Sequence, residues 1–221
     1  MPATLPTGVT LVDHPLVQVK LTQLRDARTG LGGFRTRLNE LATLLVFEAT
    51  RSLATRPEMV ETPLGPCEGR ALVRPLIAAP ILRAGLGLVE SMLDLLPGVS
   101  VAHIGIFRDE ATHRPRSYYF KVPAHLARAD VIVVDPMLAT GFTATSAVTQ
   151  LKSAGATSIR FVCVVSCPQG LAQLRAAHPD VEIFTAAIDP GLNDKAYIVP
   201  GVGDAGDRYF GTAGCVTGAF V

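Results

Sequence analysis

Apolar residues recur at three- and four-residue intervals between residues 35 and 54, where Leu38, Leu41, Ala42, Leu45, Val46 and Ala49 share one face. That spacing predicts an amphipathic helix with a buried stripe. A shorter helix is expected over residues 16–26, because Pro15 stands where a first helical residue needs no N–H. Further on the period changes repeatedly. Apolar, β-rich runs at 72–82, 101–107, 117–122, 131–135, 159–166 and 181–187 alternate with helical patterns at 86–96, 143–154 and 169–177. The alternation predicts an α/β fold, a largely parallel sheet flanked by helices. Val131-Ile132-Val133-Val134 has no polar position at all, the pattern of a strand covered on both faces. Ligands of such sheets bind beyond the carboxyl ends of the strands, so the residues that follow each strand are the first candidates for chemistry.

Composition narrows the picture. The 221 residues are 48% apolar and 18% charged, enough for a substantial core, and no repeat or low-complexity tract divides them. One domain over residues 1–221 is expected. Lys and Arg exceed Asp and Glu by one, 20 against 19, so the chain as a whole carries no electrostatic footprint for a polyanion, and no nucleic-acid partner is expected. No apolar run approaches the roughly 18 residues of a membrane span, and the start, MPATLPTGVTLVDHP, lacks the basic and apolar segments of a secretory signal. A cytoplasmic protein with no membrane partner is expected. Cys67, Cys163, Cys167 and Cys215 form no CxxC pair and read as reduced, structural thiols.

The segment VIVVDPMLATGFTATSAVTQL places Asp135 at the end of the buried strand, then a turn of small and hydroxylated residues, then an amphipathic helix. Small residues let a ligand approach the backbone, and the free N–H groups and dipole of a helix start favour an anion. Thr140, Thr143 and Thr145 add hydroxyl donors. The same pattern also fits a plain turn former before Pro136 and a helix cap at Thr143. There is no GxxxxGK[ST], and no GxGxxG opens a helix after a strand, so neither a P-loop nor a dinucleotide site is supported.

Residues 135–141, DPMLATG, resemble the phosphoribosyl-diphosphate loop of the uracil phosphoribosyltransferases. PILRAGLG (80–87), FRDEATHRPRSYYFKVP (107–123) and GVGDAGDRYFGT (201–212) resemble three further segments of that family in the same order. The resemblance runs from His14 to Thr212. It implies a phosphoribosyltransferase-like fold with a β-hairpin arm, and a C-terminal base-binding loop region in which residues 188–212 form a hood. The implied reaction joins uracil to 5-phosphoribosyl 1-diphosphate (PRPP), giving UMP and diphosphate in pyrimidine salvage.

By the same resemblance PRPP contacts Arg83, Arg108, Asp135, Pro136, Met137, Leu138, Ala139, Thr140, Gly141, Phe142, Thr143 and Asp204. Uracil contacts Ile198, Gly203, Asp204 and Ala205, and Asp135, Arg83 and Asp204 are the implied catalytic residues. Guanidinium forks suit a diphosphate. Mg²⁺ is implied as the cofactor, held mainly through substrate phosphates, with no dedicated metal-ligand cluster. A homodimer or higher homo-oligomer and a GTP effector are family properties that the residues themselves do not fix.

One departure stands out: the family's loop continues Gly-Gly-Ser where this chain has Gly141-Phe142-Thr143. A bulky Phe142 is strained if that position needs a positive φ. Residues 108–121, with four Lys or Arg against two Asp or Glu, read as a polar hairpin and a candidate cover for the diphosphate; Arg114 and Arg116 fit a solvated turn equally well. The five histidines do not cluster in sequence and Ser91 lacks flanking glycines, which argues against nucleophilic catalysis. Two readings compete: a regulator that keeps the PRPP site but binds RNA or a partner, and a loop remodelled by Phe142 with lower affinity for the sugar diphosphate or a different acceptor base.

Overall fold

The computed structural model of the protein describes residues 5–108 and 115–213, with Arg108 described by its backbone alone. The chain starts with a short strand, β1 (Val9–Leu11), and a helix, α1 (Pro15–Arg25). Pro15 opens α1, and the His14 ring accepts the Leu16 N–H at 3.1 Å. The long helix α2 (Leu31–Ala49) buries Phe34, Leu38, Leu41, Ala42, Leu45, Val46 and Ala49. It starts four residues before the expected boundary and ends five before it. Gly32 and Gly33 hide the first turn from a propensity reading. At the other end the Thr50 hydroxyl turns back onto the Val46 carbonyl at 2.9 Å, and the chain leaves the helix.

Two strands follow that the hydrophobic pattern does not reveal, β2 (Thr55–Thr62) and β3 (Gly65–Leu72). They pair only with each other, in register from Thr55↔Leu72 to Thr62↔Gly65, and almost every residue is exposed. A ribbon with no buried face has no apolar alternation, and Pro57, Pro66 and Gly69 weaken its propensity signal further. The expected run at 72–82 is therefore split. Leu72 closes this arm, and the buried strand β4 covers Leu76–Leu82 only.

The remaining elements follow the alternating pattern. A 3-10 turn (Ala84–Leu88) and α3 (Val89–Leu95) replace the single helix expected at 86–96. Then come β5 (Ser100–Val101), β6 (His103–Arg108), β7 (Pro115–Lys121), β8 (Asp130–Val134), β9 (Met137–Leu138) and α4 (Phe142–Ser153). The C-terminal part holds β10 (Ile159–Ser166), α5 (Pro168–Ala177), β11 (Glu182–Ile188), β12 (Gly191–Leu192), β13 (Ile198–Val199) and α6 (Ala205–Phe210).

One sheet runs in the order β1-β11-β10-β8-β4-β6-β7, with β5 on β4 and β9 on β10. Every pairing is parallel except β6 with β7, so the sheet is largely parallel as expected, with an antiparallel edge. The turn of the expected 108–121 hairpin, with Arg114, lies outside the described residues. In β8, Ile132 and Val134 face the core under α1, α2 and α3, while Val131 and Val133 face the one under α4 and α5. Period-two geometry sends successive side chains to opposite faces. Both faces being covered explains the uninterrupted apolar run.

Candidate active site

Four central strands end at the same edge. Arg83 follows β4, Asp135 follows β8, Cys167 follows β10 and Asp189 follows β11. The chain packs closely here: a Cβ on Gly85 would lie 2.4 Å from the Val134 carbonyl oxygen, and one on Gly170 would lie 2.3 Å from that of Leu138. These contacts press the strand ends against the turns that follow them, and a cavity of about 240 Å³ opens above.

Asp135 and Met137 to Gly141 line that cavity, continuing into Thr143 and Ala144 at the start of α4. Gly141 precedes the helix with φ 81°, and a Cβ there would meet the Gly170 carbonyl at 2.8 Å, so only glycine satisfies both conditions. The left-handed residue is thus Gly141, and Phe142 begins the helix without strain. Its half-exposed ring lines a separate outer groove with Gln169, Gln173 and Leu192. Of the loop residues expected at PRPP, Phe142 offers the cavity no side chain, and Pro136 is buried below it. Behind the turn, the Cys167 thiol donates to the Ala139 carbonyl at 3.0 Å, which makes it a brace of the loop.

Burial pushes the Asp135 carboxyl up to about 7, against the lowering effect of one hydrogen bond from the Met137 N–H. A carboxylate in this condition gains from any ligand that brings hydrogen-bond donors or positive charge.

The opposite wall is the turn between β12 and β13, contributing Lys195, Ala196, Tyr197 and Ile198. Asn193 builds it: its side-chain oxygen accepts the N–H groups of Lys195 and Tyr197, both at 3.0 Å. Of the expected uracil residues only Ile198 lines the cavity; Gly203, Asp204 and Ala205 stand in the next turn and the start of α6. Asp204 caps that helix, accepting the Asp207 N–H at 2.9 Å, and its other oxygen accepts the Tyr197 hydroxyl at 3.3 Å. Arg83 is largely exposed, with its guanidinium 3.8 Å from Asp207, beside the cavity rather than in its lining. The Arg108 side chain is outside what the structure describes.

Three residues with no local sequence signal hold this wall in place. Arg25 forms a two-pronged ion pair with buried Asp189, both contacts at 2.7 Å, and donates to the Gly201 carbonyl at 2.8 Å. Asp189 in turn accepts the Gly201 N–H at 2.8 Å. Arg208 stacks over Phe34 at 4.3 Å and donates to the carbonyls of Leu24, Asp26 and Val202. Lys195 and Ala196 were equally invisible, since nothing in their neighbourhood marks them as facing a cavity.

A parallel sheet covered on both faces, with a carboxylate and a small-residue turn at its carboxyl edge, is an α/β ligand-binding layout, and the family match assigns it to the phosphoribosyltransferases. The family model for uracil phosphoribosyltransferase matches residues 11–212. The chain belongs to that family. It is 56% identical over 206 residues to a uracil phosphoribosyltransferase of Caulobacter sp. (strain K31), spanning 93% of this chain and 99% of the relative. The corresponding protein of Rhizobium rhizogenes is 54% identical over the same share of each chain. A solved structure of a protein from Aquifex aeolicus superposes with a TM-score of 0.87 at 34% identity, over 91% of this chain and 97% of that one.

Proposed function

We propose that this protein transfers the phosphoribosyl group of PRPP to N1 of uracil, forming UMP and diphosphate as a cytoplasmic enzyme of pyrimidine salvage. The observation that carries the reading is the cavity, in which Asp135 and the turn at the start of α4 face the Tyr197–Ile198 wall. The 5-phosphate sits on the backbone N–H groups of residues 139–143, with the hydroxyls of Thr140 and Thr143 as further donors. Asp135 accepts hydrogen bonds from the ribose hydroxyls, and its carboxylate steadies the electron-poor ring as the C1–O bond to diphosphate lengthens. N1 of uracil then bonds to C1 as its N–H proton passes to water, and diphosphate departs with the electron pair of the C1–O bond.

Arg83 and Arg108, at the ends of β4 and β6, meet the diphosphate. In this reading Arg83 exchanges its long contact with Asp207 for the phosphate oxygens. Ile198, Gly203, Asp204 and Ala205 surround uracil, mainly through their backbone, and Asp204 positions the pocket by joining Tyr197 to α6. Residues 188–212 thus act as the base-binding hood of a single domain. The buried Asp135, with a hydrogen bond from the Met137 N–H, would suit a neighbouring Mg²⁺. When bound, that ion neutralises the leaving group.

The reading extends to assembly. The exposed β2–β3 arm and the apolar groove at its base, lined by Leu72, Leu76, Leu95 and Leu96, support a homo-oligomer, and GTP is carried as its candidate effector from the family resemblance alone. The deciding experiment is UMP formation from uracil and PRPP with and without Mg²⁺, with cytosine, hypoxanthine and orotate as rival acceptors. Metal-dependent turnover of uracil alone is expected; turnover of another base, or of none, overturns the reading.

A further inference from the structure

The turn between β12 and β13 is built tightly around a residue that the reaction has not yet used. Besides the two N–H groups held by the Asn193 side chain, the Ala196 N–H donates to the Asn193 carbonyl at 2.8 Å and the Asn193 N–H to the Tyr197 carbonyl at 2.9 Å. These bonds hold Ala196 in the left-handed region, at φ 60°. The turn therefore carries Lys195, which is exposed, in the lining of the same cavity that Thr140, Gly141 and Thr143 line.

Charge gives this placement a meaning. Among the described residues lining the cavity, Lys195 is the only cation, and Asp135 is the only acid. No described acid pairs with the Lys195 ammonium. Arg83 stands outside the lining, held towards Asp207. A phosphate resting on the helix-start turn would thus have backbone N–H groups and hydroxyls beside it, and Lys195 as the single cationic residue of the described lining. Lysine suits that task as a point charge on a flexible stem, since it needs no fixed two-pronged geometry. Ile198 is three residues away, a reach of roughly 10 Å at most, so one short segment spans from the base end of the cavity to its phosphate end.

We infer that Lys195 is a substrate-binding residue that closes over the 5-phosphate of the ribosyl substrate, opposite the turn formed by residues 139–143. The inference rests on the phosphoribosyl reading of the cavity and adds a contact to it. It assigns Lys195 to binding, with no part in breaking the C1–O bond.

Calorimetric titration of the full-length protein with ribose 5-phosphate tests it independently of turnover. Lys195→Met is expected to weaken that binding about tenfold, the effect of losing one charge-assisted contact at a partly open site, while Lys195→Arg stays within about threefold of the parent. In steady-state assays the same loss raises KM for PRPP at nearly constant kcat and leaves KM for uracil unchanged. Unaltered ribose 5-phosphate affinity in Lys195→Met overturns the inference, as does a parent protein that binds none. UMP synthesis by the parent judges the underlying reading separately. A parent that makes UMP with an indifferent Lys195→Met refutes the contact alone, whereas a silent parent whose ribose 5-phosphate binding still depends on Lys195 refutes the reaction and keeps the contact.

Discussion

The two walls of the cavity are built in opposite ways. The lower wall, from Asp135 to Ala144, is one continuous segment whose shape follows from a strand end, a left-handed glycine and a helix start. The upper wall, at 195–198, has little local structure beyond one turn. It stays in place through Arg25, Asp189 and Arg208, which tie α1, β11 and α6 together across more than 160 residues of chain. A contiguous wall tolerates changes elsewhere in the molecule. A wall hung from distant contacts is sensitive to residues that never touch the ligand.

Replacing Asp189 with Ala should show the largest effect. It leaves Arg25 without its carboxylate and the Gly201 N–H without an acceptor, at a cost of about 3–5 kcal/mol in urea-induced unfolding. Uracil affinity should fall with it, while ribose 5-phosphate binding should fall by no more than the roughly tenfold share carried by Lys195, because the lower wall keeps its backbone donors whenever the protein is folded. Equal loss of both ligands would mean that the walls are not separable.

Asp135→Asn attacks the lower wall directly and should lower kcat/KM about a hundredfold, or about 2.7 kcal/mol. Its stability should move the other way. The folded protein keeps the Asp135 proton until about pH 7, whereas the unfolded chain loses it near the ordinary value of 3.8, so the native carboxyl lowers stability as pH rises between those points. Asn removes that penalty. A gain of about 2–4 kcal/mol at pH 8, shrinking towards pH 4, is expected from denaturation curves at several pH values. In the parent enzyme KM for PRPP should rise as pH falls below about 7, because a protonated Asp135 accepts fewer hydrogen bonds from the ribose.

Arg83→Ala is expected to reduce kcat/KM about tenfold and to leave the fold intact, since Arg83 is largely exposed and its contact with Asp207 is long. Pre-steady-state rates with diphosphate as competitor would place the loss on the leaving group. Phe142→Gly should matter least. The ring lines the outer groove, so activity should remain within about threefold of the parent, with stability lower by roughly 0.5 kcal/mol from helix propensity. A large gain in activity would show that the ring distorts the turn after all.

Legibility in the sequence followed the same division. The β8 run, the carboxylate after it and the small-residue turn were readable, because each depends on neighbours within a few positions. The β2–β3 arm was not, since strands without a buried face leave no hydrophobic alternation. Asp135 and the 137–143 turn, singled out by their order in the chain, do line the cavity, apart from the Phe142 ring, which lines the outer groove. Lys195, Arg25, Asp189 and Arg208 were not singled out, because nothing local distinguishes a lysine that faces a cavity from one that faces water.

By itself, the sequence determined the alternating α/β architecture, the burial of β8 and the small-residue turn at the start of α4, while its motifs carried the resemblance to the family. Period and spacing act over a few residues and need no knowledge of the rest of the chain. Only the tertiary structure decided that Gly141 carries the left-handed conformation in place of Phe142, that Asp204 caps α6, and that Asp189 anchors the upper wall to Arg25. Each of these depends on a backbone approach or a charge pair between segments far apart in sequence, and such distances exist only once the chain has folded.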